Sequence, residues 1–217
     1  MPIRISNYAG KFGWNARKYF PRLASELYLK LQFTTRGKVQ QDYIDYFLNA
    51  PEIPHPHVVN LETINRCNST CEFCTANKNA EKRPYARMSE ELYYSIIDQL
   101  RDWNYKGHLT LYGNNEPWLD TRIVEFHKYA RKQLPDCFIF MSTNGLILDI
   151  DKVKSIIPYV NQLIINNYCL DMKLHDNIQE IYDYVNAHPD EFKDVDILIQ
   201  TVSYTHLRAH ETRGNLV

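Results

Sequence analysis

The sequence predicts an α/β fold built of parallel βα units. From residue 57 onward, short β-branched or aromatic runs alternate with amphipathic stretches of helical length. Each apolar run closes on polar residues, as strands do when a site is built at their carboxyl ends. Only 7 glycines occur in 217 residues, which argues against long flexible linkers.

Residues 1–50 read as a helical, basic N-terminal segment. Residues 1–38 carry eight Lys or Arg against Glu26 alone, and Leu23, Leu27 and Leu31 make an apolar stripe at i, i+4 spacing. Residues 21–33 read as a helix docked on the main domain with a solvated basic face, or alternatively the segment offers a basic surface for an acidic peptide, a phosphorylated sugar or an anionic membrane face. Pro51, Pro54 and Pro56 mark a stiff linker over 51–56. The first strand is predicted over 57–64 and ends at a cysteine-rich loop. Ser89 is the expected N-cap of a helix running to Trp103, with Glu90 and Glu91 in its first turn. The remaining strands are predicted over 108–112, 137–141, 162–165 and 195–200. The helices between them are predicted over 121–133, 150–157 and 177–188.

The loop after the first strand holds Cys67, Cys71 and Cys74 in a C-x3-C-x2-C spacing. Three thiolates on one short loop can each hold an iron of a four-iron cluster, leaving the fourth iron free for a small molecule. A structural zinc site wants four ligands, commonly in paired motifs, and neither Cys137, Cys169 nor the histidines supply a second pair. Five cysteines in 217 residues are too sparse for a disulfide framework.

Two further motifs follow in order. Gly113-Asn114-Asn115-Glu116-Pro117 follows the second strand, and Ser142-Thr143-Asn144-Gly145 the third. With the cysteines they resemble the radical S-adenosylmethionine (radical SAM) superfamily over residues 56–201. The resemblance implies a partial (β/α)6-type TIM barrel, here truncated after about five strands, over residues 57–201. It also implies a 4Fe-4S cluster on Cys67, Cys71 and Cys74, with S-adenosylmethionine chelated at the open iron. Reductive cleavage of that cofactor would give a 5'-deoxyadenosyl radical, which abstracts hydrogen from a substrate.

By the same resemblance, Gly113, Asn115 and Glu116 correspond to the GGEP stretch, with Glu116 on the cofactor's amino group. Asn114 and Asn115 stand where glycines are common, and Asn tolerates positive φ. Ser142 and Asn144 are expected at the cofactor's carboxylate or ribose, Phe73 near the adenine, and Asn166 and Asn167 at the ribose or substrate. The substrate reads as a peptide or protein, or alternatively a sugar or small metabolite. A flavodoxin or ferredoxin would serve as reductant. The short N-terminal segment resembles the SPASM-associated branch, whose C-terminal extension carries further cysteines. A metal- or redox-sensing module would use the same three cysteines, but it has no need of a cofactor-binding glutamate.

Residues 202–217 resemble a translated sequencing-library adapter and are set aside as an artefactual tail, so His206 and His210 are not read as a metal pair. Truncation there predicts an unpaired edge on the 195–200 strand, and with it poor solubility. A formal net charge of −1 predicts no nucleic-acid partner, and no apolar run approaches the roughly 20 residues of a membrane span. Together these predict a cytoplasmic enzyme.

Overall fold

The computed structural model describes residues 3–7, 55–71, 74, 83–169 and 173–202. The expected helix over 21–33, Phe73 and residues 203–217 lie outside the described residues. The chain divides into two compact units, Asn7–Pro56 and a larger one formed by Met1–Ser6 with His57–Val217.

The larger unit is built on one six-stranded sheet. Its strands are β1 (Ile3–Asn7), β2 (Val58–Asn60), β3 (His108–Thr110), β4 (Phe138–Thr143), β5 (Gln162–Tyr168) and β6 (Asp196–Val202), in the order β1-β6-β5-β4-β3-β2. The strands from β2 to β6 pair in parallel, in registers such as Val58↔His108↔Phe138 and Asn166↔Gln200. Parallel neighbours need crossovers, and helices supply them. These are α1 (Glu90–Asp102), α2 (Ile123–Gln133), α3 (Ile150–Ile156) and α4 (Asp176–Ala187).

Two expectations are corrected by β1. Ile3–Asn7 is a strand within the segment expected to be helical. It lies beside β6, so the edge predicted to be bare is paired. Ile3 and Ile5 already showed strand-like alternation, but a terminal strand's partner is set by distant backbone and cannot be read locally. Val202, assigned to the tail, ends β6 opposite Tyr168.

Helix α1 begins as predicted, with Ser89 Oγ accepting from the Leu92 amide at 3.2 Å. One face of the sheet meets all four helices. Leu109, Ile139, Met141, Leu163, Ile165, Ile197 and Ile199 alternate along the strands and pack with Tyr93, Ile97, Phe126, Val153, Ile178 and Ile181. Tyr93 and Phe126 stack at 4.0 Å between ring centroids, and the Tyr93 hydroxyl donates to Phe126 O. Replacing Phe126 with Ala would cost about 3–5 kcal/mol.

The first strand is shorter than predicted. Past Leu61, whose amide still donates to Thr110 O, the chain leaves the sheet and pairs instead with residues 86–88, through Asn65 N–H to Ala86 O and Met88 N–H to Thr63 O. β4 and β5 are longer than predicted, so Ser142, Thr143, Asn166 and Asn167 lie within strands rather than after them.

Candidate active site

An open cavity of about 160 Å³ lies at the carboxyl ends of the parallel strands, and its wall includes Cys67, Cys71 and Cys74. Gly113, Asn115, Glu116, Ser142, Asn144 and Asn166 share that wall, so all but one of the described residues of the expected site meet there. Asn167 does not. Side chains alternate along β5, so Asn167 is fully buried on the opposite face. There it holds the loop after the strand, donating to Lys173 O and accepting from the His175 amide. Its expected substrate role is corrected to a structural one.

The cysteine loop is fastened locally. The Cys74 amide donates to Cys71 O, Ser69 Oγ lies 3.0 Å from Cys71 Sγ, and Asn144 Nδ2 lies 3.6 Å from Cys67 Sγ. Among the described residues no three His, Cys, Asp or Glu side chains converge as they would on one metal ion. A four-iron cluster places its thiolates on separate irons, so it needs them around one cavity rather than at one point. Burial pushes the Cys67 thiol up, and the Glu116 charge adds to this; contacts from Ser69 and Asn144 oppose it.

Glu116 joins three segments. Its amide donates to Arg66 O, just before the first cysteine. Its Oε1 accepts from Thr143 Oγ1 at 2.7 Å and from the Trp118 amide at 3.2 Å, and its Oε2 accepts from the Asn144 amide at 2.8 Å. The residue is 1% exposed. Burial raises its pKa above the usual carboxylate range, and these three donors partly oppose the rise. A carboxylate offers about four lone-pair positions. With three engaged, one on Oε2 remains for a ligand.

The backbone expectations at the two motifs divide. Gly145 has φ +72°, and a Cβ there would stand 2.9 Å from Ile165 and Ile178, so glycine is required. Asn114 and Asn115 have no positive φ, and the tolerance invoked for them is not used. Asn115 instead folds its Oδ1 onto the Gly113 amide at 2.8 Å, which leaves its buried Nδ2 without a partner.

Sequence reasoning missed Arg83, Tyr112, Thr143 and Tyr168, all on the cavity wall. Tyr112 and Tyr168 could have been found from strand-end position, whereas Arg83 sits in a loop with no motif around it. Burial raises the Tyr112 hydroxyl's pKa, with a hydrogen bond from Ser142 opposing. Ser142 Oγ also accepts from Asn166 Nδ2 at 2.8 Å, which links β4 to β5 across the cavity wall. The donor set fits a thiolate-held cluster: three cysteines line one cavity, and unpartnered buried donors of Arg83 and Asn115 belong to the same wall.

Solved structures of similar fold include BtrN in complex with AdoMet and 2-DOIA, with TM-score 0.56 and 18% identity, covering 67% of this chain and 57% of that one. Native anSMEcpe with bound AdoMet gives TM-score 0.52 at 14% identity, covering 71% of this chain and 46% of that one. The likeness bears out the partial-barrel fold. A curated relative, the S-adenosyl-L-methionine-dependent 2-deoxy-scyllo-inosamine dehydrogenase of Niallia circulans, is 22% identical over 99 residues. That match spans 46% of this chain and 39% of the relative. Residues 61–195, more than half the chain, match the family described as the radical SAM superfamily. The cysteine loop and the two strand-end motifs lie within that span, and this chain belongs to the radical SAM superfamily, whose cofactors are a 4Fe-4S cluster and S-adenosylmethionine.

Proposed function

We propose that this chain carries the radical-generating site of an enzyme acting on a small polar metabolite of the sugar or aminocyclitol class. The observation that carries the reading is the convergence of all three cysteines and both strand-end motifs on one cavity. When bound, the cluster and S-adenosylmethionine would supply one-electron cleavage of a sulfur–carbon bond and hydrogen abstraction from a substrate.

The chain's own residues have distinct tasks in this reading. Cys67, Cys71 and Cys74 hold the cluster. Glu116 fixes Thr143 and Asn144, at the end of β4, against the cysteine loop and offers its remaining acceptor position to the cofactor's ammonium group. Gly113, Asn115, Ser142 and Asn144 line the space for the cofactor, and Asn166 stands at the ribose or substrate. Tyr112 and Tyr168 line the same cavity, and with the amide of Asn166 they suit the hydroxyls of a sugar or aminocyclitol, which both donate and accept. The inosamine named for the curated relative supports this substrate class; no described residue favours a peptide. A low-potential donor such as flavodoxin or ferredoxin would deliver the electron.

The test is anaerobic reconstitution of the chain. About four irons and four sulfides are expected, with an EPR signal of the reduced cluster altered by S-adenosylmethionine. Stoichiometric zinc without iron would overturn the reading. Deuterated aminocyclitols should transfer deuterium into 5'-deoxyadenosine; transfer from deuterated peptides alone would reassign the substrate.

A further inference from the structure

Three buried side-chain donors of cavity-lining residues have no partner: Arg83 Nε, Arg83 Nη2 and Asn115 Nδ2. No cavity-lining residue among the described ones leaves a buried acceptor-only atom unpaired. The other unpartnered buried atoms belong to Thr63, Thr110, Trp118 and His127, none of them on the cavity wall. A wall whose unpartnered buried side-chain atoms are all donors calls for a ligand that brings acceptors to them.

Arg83 sharpens that demand. Nε and Nη2 lie on one edge of the planar guanidinium, the fork that meets both oxygens of a carboxylate side-on. The third nitrogen, Nη1, is taken by Glu62 Oε1 at 3.4 Å. Glu62 has room for this because residue 113 is glycine; a Cβ there would stand 3.3 Å from Glu62 Oε2. The backbone of residue 83 is tied to the start of the cysteine loop, since Arg83 O accepts from Arg66 Nη2 at 3.1 Å. Glu62 and Arg66 therefore position the guanidinium from outside and leave its fork unmatched.

We propose that Arg83, with Asn115 on the same wall, seats a carboxylate in this cavity. The inference rests on the cofactor reading above. Two sources share the chemistry: the methionine carboxylate of the cofactor, or a carboxylate carried by the substrate. Glu62 is a positioning residue that acts through Arg83.

The experiment uses the full chain, anaerobically reconstituted, as wild type, Arg83→Gln and Arg83→Lys. Equilibrium dialysis measures S-adenosylmethionine and its decarboxylated analogue. If the cofactor's carboxylate occupies the seat, Arg83→Gln weakens S-adenosylmethionine binding about 10- to 100-fold and leaves the analogue unchanged, as expected for loss of a charge-assisted bidentate contact. Any carboxylate contact with the cluster is common to both proteins and cancels. If the substrate supplies the carboxylate, cofactor binding is unchanged, but acetate titrated into cofactor-saturated wild type is bound and the Gln variant loses it. Equal affinity of wild type and the Gln variant for both cofactor and acetate overturns the proposal. Should the Gln variant lose iron, the Lys variant carries the test, because it keeps the charge and lacks the fork; wild-type affinity in Lys would overturn the seat. Wild type that holds iron but binds no S-adenosylmethionine sinks the cofactor reading alone, and acetate binding without cofactor then still decides on Arg83.

Discussion

Arg131 and Arg83 stand at opposite ends of the parallel strands, and their surroundings differ in kind. Arg131, on α2, donates to Cys137 O at 2.9 Å, to Pro135 O at 3.0 Å, to Tyr159 O at 3.3 Å, and to Asn161 Oδ1. Around it, where the strands begin, Cys137 Sγ donates to Gly107 O, the Tyr105 hydroxyl donates to His57 O and His108 O, and Asn161 Oδ1 also accepts from the Ile139 amide. At the cavity the same residue types, Arg83, Asn115 and the cysteines, keep unmatched donors or face open space. Residue type therefore does not separate structure from function here; the state of hydrogen bonding does. The closed end fixes strand register, and the open end keeps capacity for ligands.

The cysteines give the sharpest way to break this contrast, with the largest expected effect. Cys71→Ala should abolish the cluster, read as loss of iron and of visible absorption after reconstitution. Cys137→Ala should keep full iron and lose only about 1–2 kcal/mol of stability with its hydrogen bond. Burial pushes the Cys137 thiol up to about 11, which keeps it a neutral donor rather than a thiolate. Equal iron loss in the two variants would erase the distinction between the ends.

Arg131→Gln comes next. It leaves the Cys137, Pro135 and Tyr159 carbonyls short of a donor and should cost about 2–4 kcal/mol in chemical denaturation, with iron and cofactor binding intact. A drop in cofactor affinity larger than the drop in stability would mean that the closed end reaches the site.

Much of the larger unit was legible because local signals agreed with the final packing. Ser89 with Glu90 and Glu91 marks the start of α1, and the spacing of Cys67, Cys71 and Cys74 identifies the loop that carries them. Long-range arrangements were not legible. The pairing of Ile3–Asn7 beside β6 depends on backbone about 190 residues away. Asn166 and Asn167 are chemically alike, and only the pleat decides that one faces the cavity and the other the opposite side. Arg83 carries no local pattern at all, since its importance lies in which of its nitrogens lack partners.

Glu116 tests the middle case, a residue that is structural and functional together. In Glu116→Gln one carboxylate oxygen becomes an amide donor, so either Thr143 Oγ1 with the Trp118 amide or the Asn144 amide would face a donor. A loss of about 1.5–3 kcal/mol in stability is expected, with weaker S-adenosylmethionine binding. Thermal unfolding and equilibrium dialysis measure the two effects. Lost stability with unchanged cofactor affinity would confine Glu116 to holding the loops together.

The smallest expected effect asks whether an unpartnered buried atom alone marks a site. His127 in α2 is fully buried; its Nδ1 lies 2.8 Å from Ile123 O, and its Nε2 has no partner. Unlike Arg83 and Asn115, it lines no part of the cavity. With the proton on Nδ1, Nε2 is a buried acceptor, and charging the ring would place an unpaired cation in the core. Burial, reinforced by the nearby Arg131 charge, lowers its pKa to about 4, well below the ordinary imidazole value of about 6.5. The unfolded chain therefore takes up the proton first. This contribution to stability is fully present above pH 6.5 and is lost as the pH falls toward 4. Between pH 7 and pH 5 the loss should be about 1–2 kcal/mol. Glu116, whose pKa is raised, works in the opposite direction over the lower part of that range, so wild type is best compared with His127→Leu, in which the Glu116 contribution cancels. Urea denaturation at the two pH values should show the acid limb flattened in the Leu variant while acetate binding stays as in wild type. A Leu variant that lost acetate binding would mean that burial without an opening can still shape the anion seat, and the contrast between the two ends of the sheet would fail.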